Sequence, residues 1–132
     1  MTLVVPNVGE VKNLELYLKA ADLTLKLYSN NVTPGEADTA ATYTEVSGGG
    51  YTSKTLSAGS WTINGGNPTV GSYAAQDFEF TGATGAPGTV YGYYVVDGSN
   101  ILRWAERFPE GVLPFSPVNG SLIRVTPRFE AS

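Results

Sequence analysis

Hydrophobic residues mark two different periods along this chain. Val8, Val11, Leu14 and Leu18 recur at helical intervals, which predicts a short helix over about 8–19. Asn7 is the expected N-cap, with Glu10 three residues on at capping-box spacing. A strand is the rival reading, because Leu14, Leu16 and Leu18 also alternate. From Asp22 the period becomes two. Leu23, Leu25 and Leu27 alternate with Thr24, Lys26 and Tyr28, the pattern of a strand with one buried face.

Residues 29–42 are rich in Asn, Pro, Gly and Asp and read as a long loop. Loops of this length are usually functional or interface elements. After 43–46 and the triple glycine Gly48-Gly49-Gly50, short strands are predicted at 51–56, 60–64 and 73–81. In the last, Phe78 and Phe80 share one face and Asp77 and Glu79 the other. Residues 82–88 form a further loop. The strongest hairpin signal joins 90–97 to 101–108 through Asp97-Gly98-Ser99-Asn100. A Pro-rich loop over 109–120 precedes a closing strand at 121–129. The prediction is an all-β fold, an antiparallel β-sandwich or flattened barrel with one short N-terminal helix. A single domain over 1–132 is expected, with 1–10 as an N-terminal arm.

Composition narrows the chemistry. The 132 residues include no His and no Cys. That removes Ser-His-Asp and Cys-His nucleophile systems, His- or Cys-based zinc sites and disulfides. Neither a cofactor nor a metal is expected. Charged residues are only 15% and the net charge is −4 with scattered Lys and Arg, so no basic stripe exists to follow a phosphate backbone. No stretch is apolar enough to span a membrane, and residues 1–6 lack the features of a signal peptide. Catalysis would have to use a carboxylate pair drawn from Asp77, Glu79 and Glu106. Solvent-facing charge, with Glu106 paired to Arg103 or Arg107, is the favoured reading, and the chain is not expected to be an enzyme. Asp97 to Asn100 could offer oxygens to calcium, but a hairpin turn accounts for that run fully.

The aromatic residues Trp61, Tyr91, Tyr93, Tyr94, Trp104 and Phe108 concentrate in strands. Tyr91 and Tyr93 are expected on one face and Tyr94 on the other. Exposed, such rings stack on sugars or anchor a protein interface; buried, they are ordinary sandwich core.

Several runs occur in a telling order: LTLKLYSNNVTP at 23–34, Gly50-Tyr51, VYGYYV at 90–95, LRWAERF at 102–108 and IRVTP at 123–127. This series, spanning most of the chain, resembles small virion structural proteins of tailed bacteriophages. The resemblance implies a structural role on the virion, most naturally a capsid cement or decoration protein. The implied partners are the major capsid protein, or other virion proteins, and further copies of the chain, in a homo-oligomer such as a trimer. Neither nucleic acid nor membrane is an expected partner. Neck, tail or fibre positions are alternatives, and a carbohydrate-binding module is a second class of reading. A cement protein needs a rigid domain with segments that reach its neighbours. The candidate interface residues are Val4, Val5 and Pro6 in the arm, Asn30, Asn31 and Pro34 in the first loop, Tyr91 and Tyr93 in the hairpin, and Pro114 and Phe115 in the last loop. Proline restricts these segments before docking, which lowers the entropy lost on binding.

Overall fold

The computed structural model describes residues 3–81, 88–109 and 116–131. Among these residues the elements are one α-helix, α1 (Asn7–Leu18), two single-turn 3-10 helices (Ala40–Thr42 and Ala58–Ser60) and nine strands. They are β1 (Leu23–Tyr28), β2 (Lys54–Leu56), β3 (Thr62–Asn64), β4 (Thr69–Ser72), β5 (Gln76–Glu79), β6 (Gly92–Val96), β7 (Leu102–Arg107), β8 (Leu122–Val125) and β9 (Arg128–Ala131).

The predicted helix is present, but its cap is Pro6 rather than Asn7. Pro6 sits at φ −68° and ψ 165°, an extended geometry that its ring favours. Its carbonyl accepts from the amides of Gly9 (2.9 Å) and Glu10 (3.0 Å), so no side-chain cap is needed. Asn7 is already helical. Its amide, oriented to donate, reaches the Gly66 carbonyl (3.2 Å) and Glu10 Oε1 (3.3 Å). The expected apolar stripe is buried only in its second half. Leu14 and Leu18 are core, whereas Val8 is exposed. Helix α1 packs on β3 and β4.

Four strands form the main sheet in the order β2-β1-β6-β7, all antiparallel. Leu23, Leu25 and Leu27 point from β1 into the core and are almost wholly buried. Each contributes roughly 1.5–3 kcal/mol of apolar burial. The Asp97–Asn100 hairpin forms as predicted, and its turn is held by one side chain. Asp97 Oδ1 accepts from the amides of Ser99 (2.9 Å) and Ile101 (3.0 Å). A bulge at Val95/Val96 shifts the register, leaving Arg103 as the extra residue of β7.

The opposite layer consists of β3-β4-β9 and β5-β8. Strand β4 lies in a stretch that carries Pro68 and Gly71, between the strands expected at 60–64 and 73–81, where none is expected. Gly71 is there because Leu18 of α1 occupies the space a Cβ would need. The closing strand, predicted as one, is two. The chain breaks at Thr126-Pro127, pairing as β8 with β5 and then as β9 with β4. Pro127 is fully buried at this corner. The same corner is turned in the other direction between β4 and β5, where the Tyr73 amide donates to the Pro127 carbonyl (3.1 Å). The result is an all-β, sandwich-like fold whose sheets do not close, so the flattened-barrel alternative falls away.

The main core lies between the layers and includes Leu25, Leu27, Trp61, Phe78, Phe80, Val95 and Ile123. A second apolar cluster covers the other face of the main sheet. It consists of Tyr28, Tyr43, Tyr94 and Val96. The two-sided burial of β1 at Tyr28 departs from the expected single buried face. Its cause is the 29–46 segment, which folds back over the sheet. Tyr43 stacks on Tyr94 (centroids 5.1 Å apart, 19° between planes) and tilts against Tyr28 (4.9 Å).

Candidate interface surfaces

The expected interface residues fall into groups that the fold treats very differently. In the arm, Leu3 is 88% exposed, Val4 72% and Val5 45%. Val8, on the first turn of α1, is 79% exposed and extends the same apolar run, though the sequence pattern assigned it to the core. Pro6, also exposed, fixes the direction in which the arm leaves the helix. Three consecutive exposed aliphatic residues, Leu3 to Val5, are unusual for an isolated domain, because single exposed apolar side chains are common but contiguous ones mark contact surfaces.

The 29–42 loop is ordered by its own polar groups. The Asn30 side chain ties the loop ends together, donating to the Thr42 carbonyl (2.9 Å) and accepting from the Thr44 amide (2.8 Å). It therefore works inside the loop rather than on a partner. Asp38 accepts from the Tyr43 hydroxyl (2.7 Å) and the Gly35 amide (2.8 Å). These two bonds hold its carboxyl below the usual 3.8, because both donors favour the charged form. Asn31 is exposed, while Pro34 is half-buried and lines a groove against β7. Segment 44–46 extends the main sheet past the short β2. The Ser29 amide donates to Thr44 O (2.8 Å) and the Val46 amide to Leu27 O (3.0 Å). The Leu27 amide is left to the Tyr51 hydroxyl (3.1 Å), which itself donates to Glu45 Oε2 (2.8 Å).

Tyr91 and Tyr93 do not share a face. Tyr93 is 6% exposed and belongs to the main core, with its hydroxyl donating to Glu106 Oε1 (2.8 Å). Burial, reinforced by Glu106, pushes its pKa well up. Tyr91 packs against the outer cluster with the Arg107 guanidinium over its ring at 5.2 Å. The alternation fails because Tyr91 is not in a regular strand. Its amide donates to Tyr28 on one side (3.0 Å) while its carbonyl accepts from Phe108 on the other (2.9 Å). In a regular antiparallel strand both groups of one residue face the same neighbour. Pro114 and Phe115 lie outside the described residues.

The carboxylates considered for chemistry are separated by the fold. Phe78 and Phe80 point into the core, so Asp77 and Glu79 face away from it, whereas Glu106 lies on the core-facing side beside Tyr93. Arg124 grips Asp77 through Nε (2.7 Å) and Nη2 (3.0 Å) and holds its pKa below 3.8. A general acid requires the opposite shift. Asp97 spends Oδ1 on the turn and Oδ2 on Arg103 Nε (3.2 Å), which leaves little for a cation. Among the described residues there is no group of three or more acidic side chains placed to hold a metal, and no helix is long and apolar enough to cross a membrane.

No protein-family model, curated protein or solved structure matches this chain.

Proposed function

We propose that this chain is a structural component of a tailed-phage virion, acting as a capsid cement or decoration protein that bridges and stabilises capsid subunits. The observation that carries the assembly reading is the apolar arm, where Leu3, Val4 and Val5 are three consecutive exposed aliphatic residues. The phage assignment rests on the ordered sequence resemblance across 23–127. The ordered 29–42 loop supports the same reading, because a loop fixed in advance by Asn30 and Asp38 loses little entropy on docking. Many weak seats on a repetitive shell would sum to firm attachment. The carbohydrate alternative is weakened, because Tyr91 and Tyr93 lie on opposite faces and offer no shared stacking platform.

The test is co-sedimentation of the purified chain with assembled capsid shells of the phage whose genome carries it. Saturable binding that raises the temperature at which the shells rupture is expected. A chain that ignores intact shells, or binds only isolated tails, would refute the cement role.

A further inference from the structure

Strand β7 is the outer strand of the main sheet and, with six residues, the longest edge strand among the described residues. Its register fixes which backbone groups face outward. Phe108 donates to Tyr91 O and β7 pairs regularly with β6 from Arg107 to Trp104. The amides and carbonyls of Trp104 and Glu106 therefore face β6, and those of Ala105 face outward. The carbonyl of Arg103 also faces outward, since it accepts from the Tyr17 hydroxyl (2.7 Å).

Edges of this kind are normally guarded by charge or proline. Here one end of the edge is closed, since Tyr17 already takes the Arg103 carbonyl beside the bulge, and the outward-facing stretch beyond it is centred on Ala105. Residues 102–107 contain no proline. The Arg103 guanidinium is folded back over the Tyr17 ring at 4.8 Å and donates to the Tyr17 carbonyl (2.8 Å). Arg107 is turned toward Tyr91 and the Val32 carbonyl (3.1 Å). Beside the edge runs a groove of about 410 Å³, with Leu102, Trp104 and Ala105 on one side and Pro34 and Gly35 on the other. Glu36, Asp38, Tyr43 and Arg103 line the same groove, so an incoming strand would meet Pro34, Leu102 and Ala105 beside a charged rim.

We propose that residues 3–5 of one copy add as an extra strand to the outer edge of β7 in a neighbouring copy, seated between that edge and Pro34. The arm has the right chemistry. It is aliphatic, carries two β-branched residues that suit strands, and would place Leu3 and Val5 on one face and Val4 on the other. The arm does not lie on its own β7, since Leu3 is 88% exposed and Val4 72%. Each copy therefore carries an arm and a seat in different places. Contacts of that kind are head-to-tail, and they give a ring where the rotation closes. This inference goes beyond the capsid reading and does not depend on it.

The test uses the full chain in analytical ultracentrifugation over a concentration series, beside three variants: deletion of residues 1–5, Val4→Asp and Ala105→Pro. Proline is tolerated on a strand edge where the amide faces outward, and near-UV circular dichroism verifies each fold. Val4→Asp alters a side chain already exposed and so leaves the domain intact. The wild type is expected to self-associate, and each variant to do so at least about tenfold more weakly, the scale of one or two lost hydrogen bonds and the lost burial. The decisive arm is a mixture. The deletion keeps the seat and Ala105→Pro keeps the arm, so together they should form a 1:1 heterodimer that neither forms alone. Variants that associate like the wild type, or a mixture that stays monomeric, would overturn the proposal. A wild type that is monomeric throughout yet binds shells through its arm would also overturn it, assigning the arm to the capsid protein instead. Self-association without shell binding would leave this inference standing and remove the cement role.

Discussion

Replacing Tyr51 with Phe isolates one hydroxyl whose loss the structure makes costly. That hydroxyl accepts from the Leu27 amide at 3.1 Å and donates to Glu45 Oε2 at 2.8 Å. Leu27 is wholly buried, and β2 ends before it can supply a carbonyl there. An amide stranded in such a place costs about 1–3 kcal/mol. Glu45 is partly exposed and keeps Lys26 at 3.6 Å, so its loss adds little. The ring itself stays, with its stack on Phe78 (5.8 Å, 12°). The expected penalty is thus about 2 kcal/mol. An unfolding entropy of about 2.1 cal/mol/K per residue over 132 residues gives roughly 0.28 kcal/mol/K, so the melting temperature should fall by about 7 °C. Tyr73→Phe is the matched control. The Tyr73 hydroxyl accepts from the Ser57 amide (2.8 Å), but Ser57 is exposed and water can replace it, so about 0.5 kcal/mol and 2 °C are expected. Calorimetry of the two variants decides the matter. Equal losses, or an unshifted Tyr51→Phe, would refute the reasoning that burial of the Leu27 amide sets the cost.

Three further outcomes follow from other parts of the fold. Gly92→Ala should cost about 3 kcal/mol or more by urea denaturation, because the new Cβ would run into the Glu106 backbone carbonyl of the paired strand β7 and lie 2.7 Å from Cε1 and Oη of the fully buried Tyr28; a loss below about 1 kcal/mol would show that the β6–β7 pairing and Tyr28 can both give way. Tyr94 is raised from 10.0 to about 12, by burial first and by the Glu45 charge second. A raised pKa adds stability that is complete below the unfolded value and lost as pH climbs through the folded one, so the urea midpoint should fall between pH 10 and 12 more steeply in the wild type than in Tyr94→Phe. Identical profiles would contradict this. Asp97→Ala should speed amide hydrogen exchange at Ser99 and Ile101, which share its Oδ1, while leaving exchange in β1 unchanged.

Where local pattern and tertiary environment agree, the sequence is a sufficient guide. The Leu23-Leu25-Leu27 alternation, the Phe78/Phe80 pair and the Asp97 hairpin all form as read. The failures have distinct physical causes. Strand β4 is hidden by Gly71, which the docking of Leu18 requires and which lowers any strand signal. The closing strand splits because Pro127 turns a corner that no alternation records. Tyr91 leaves the Tyr93 face because its amide and carbonyl serve different neighbours. The second cluster around Tyr28 was illegible, because it depends on a loop folding back over the sheet, a contact between residues distant in sequence. Among the candidate interface residues, Val4, Val5 and Pro6 are as exposed as an interface requires, while Asn30 and Tyr93 are engaged within the domain. Val8 is exposed rather than buried because it completes a helical stripe whose first turn extends past the core. The signal that could have found it is its continuity with Leu3, Val4 and Val5.

Electron cryomicroscopy of the phage particle at side-chain resolution tests the central claim most directly. The account predicts this β domain on the outer shell where capsid subunits meet, with the arm at Leu3, Val4 and Val5 extended across a subunit boundary rather than folded on its own domain. A particle whose shell lacks the domain, or one that carries it only in the tail, would contradict it.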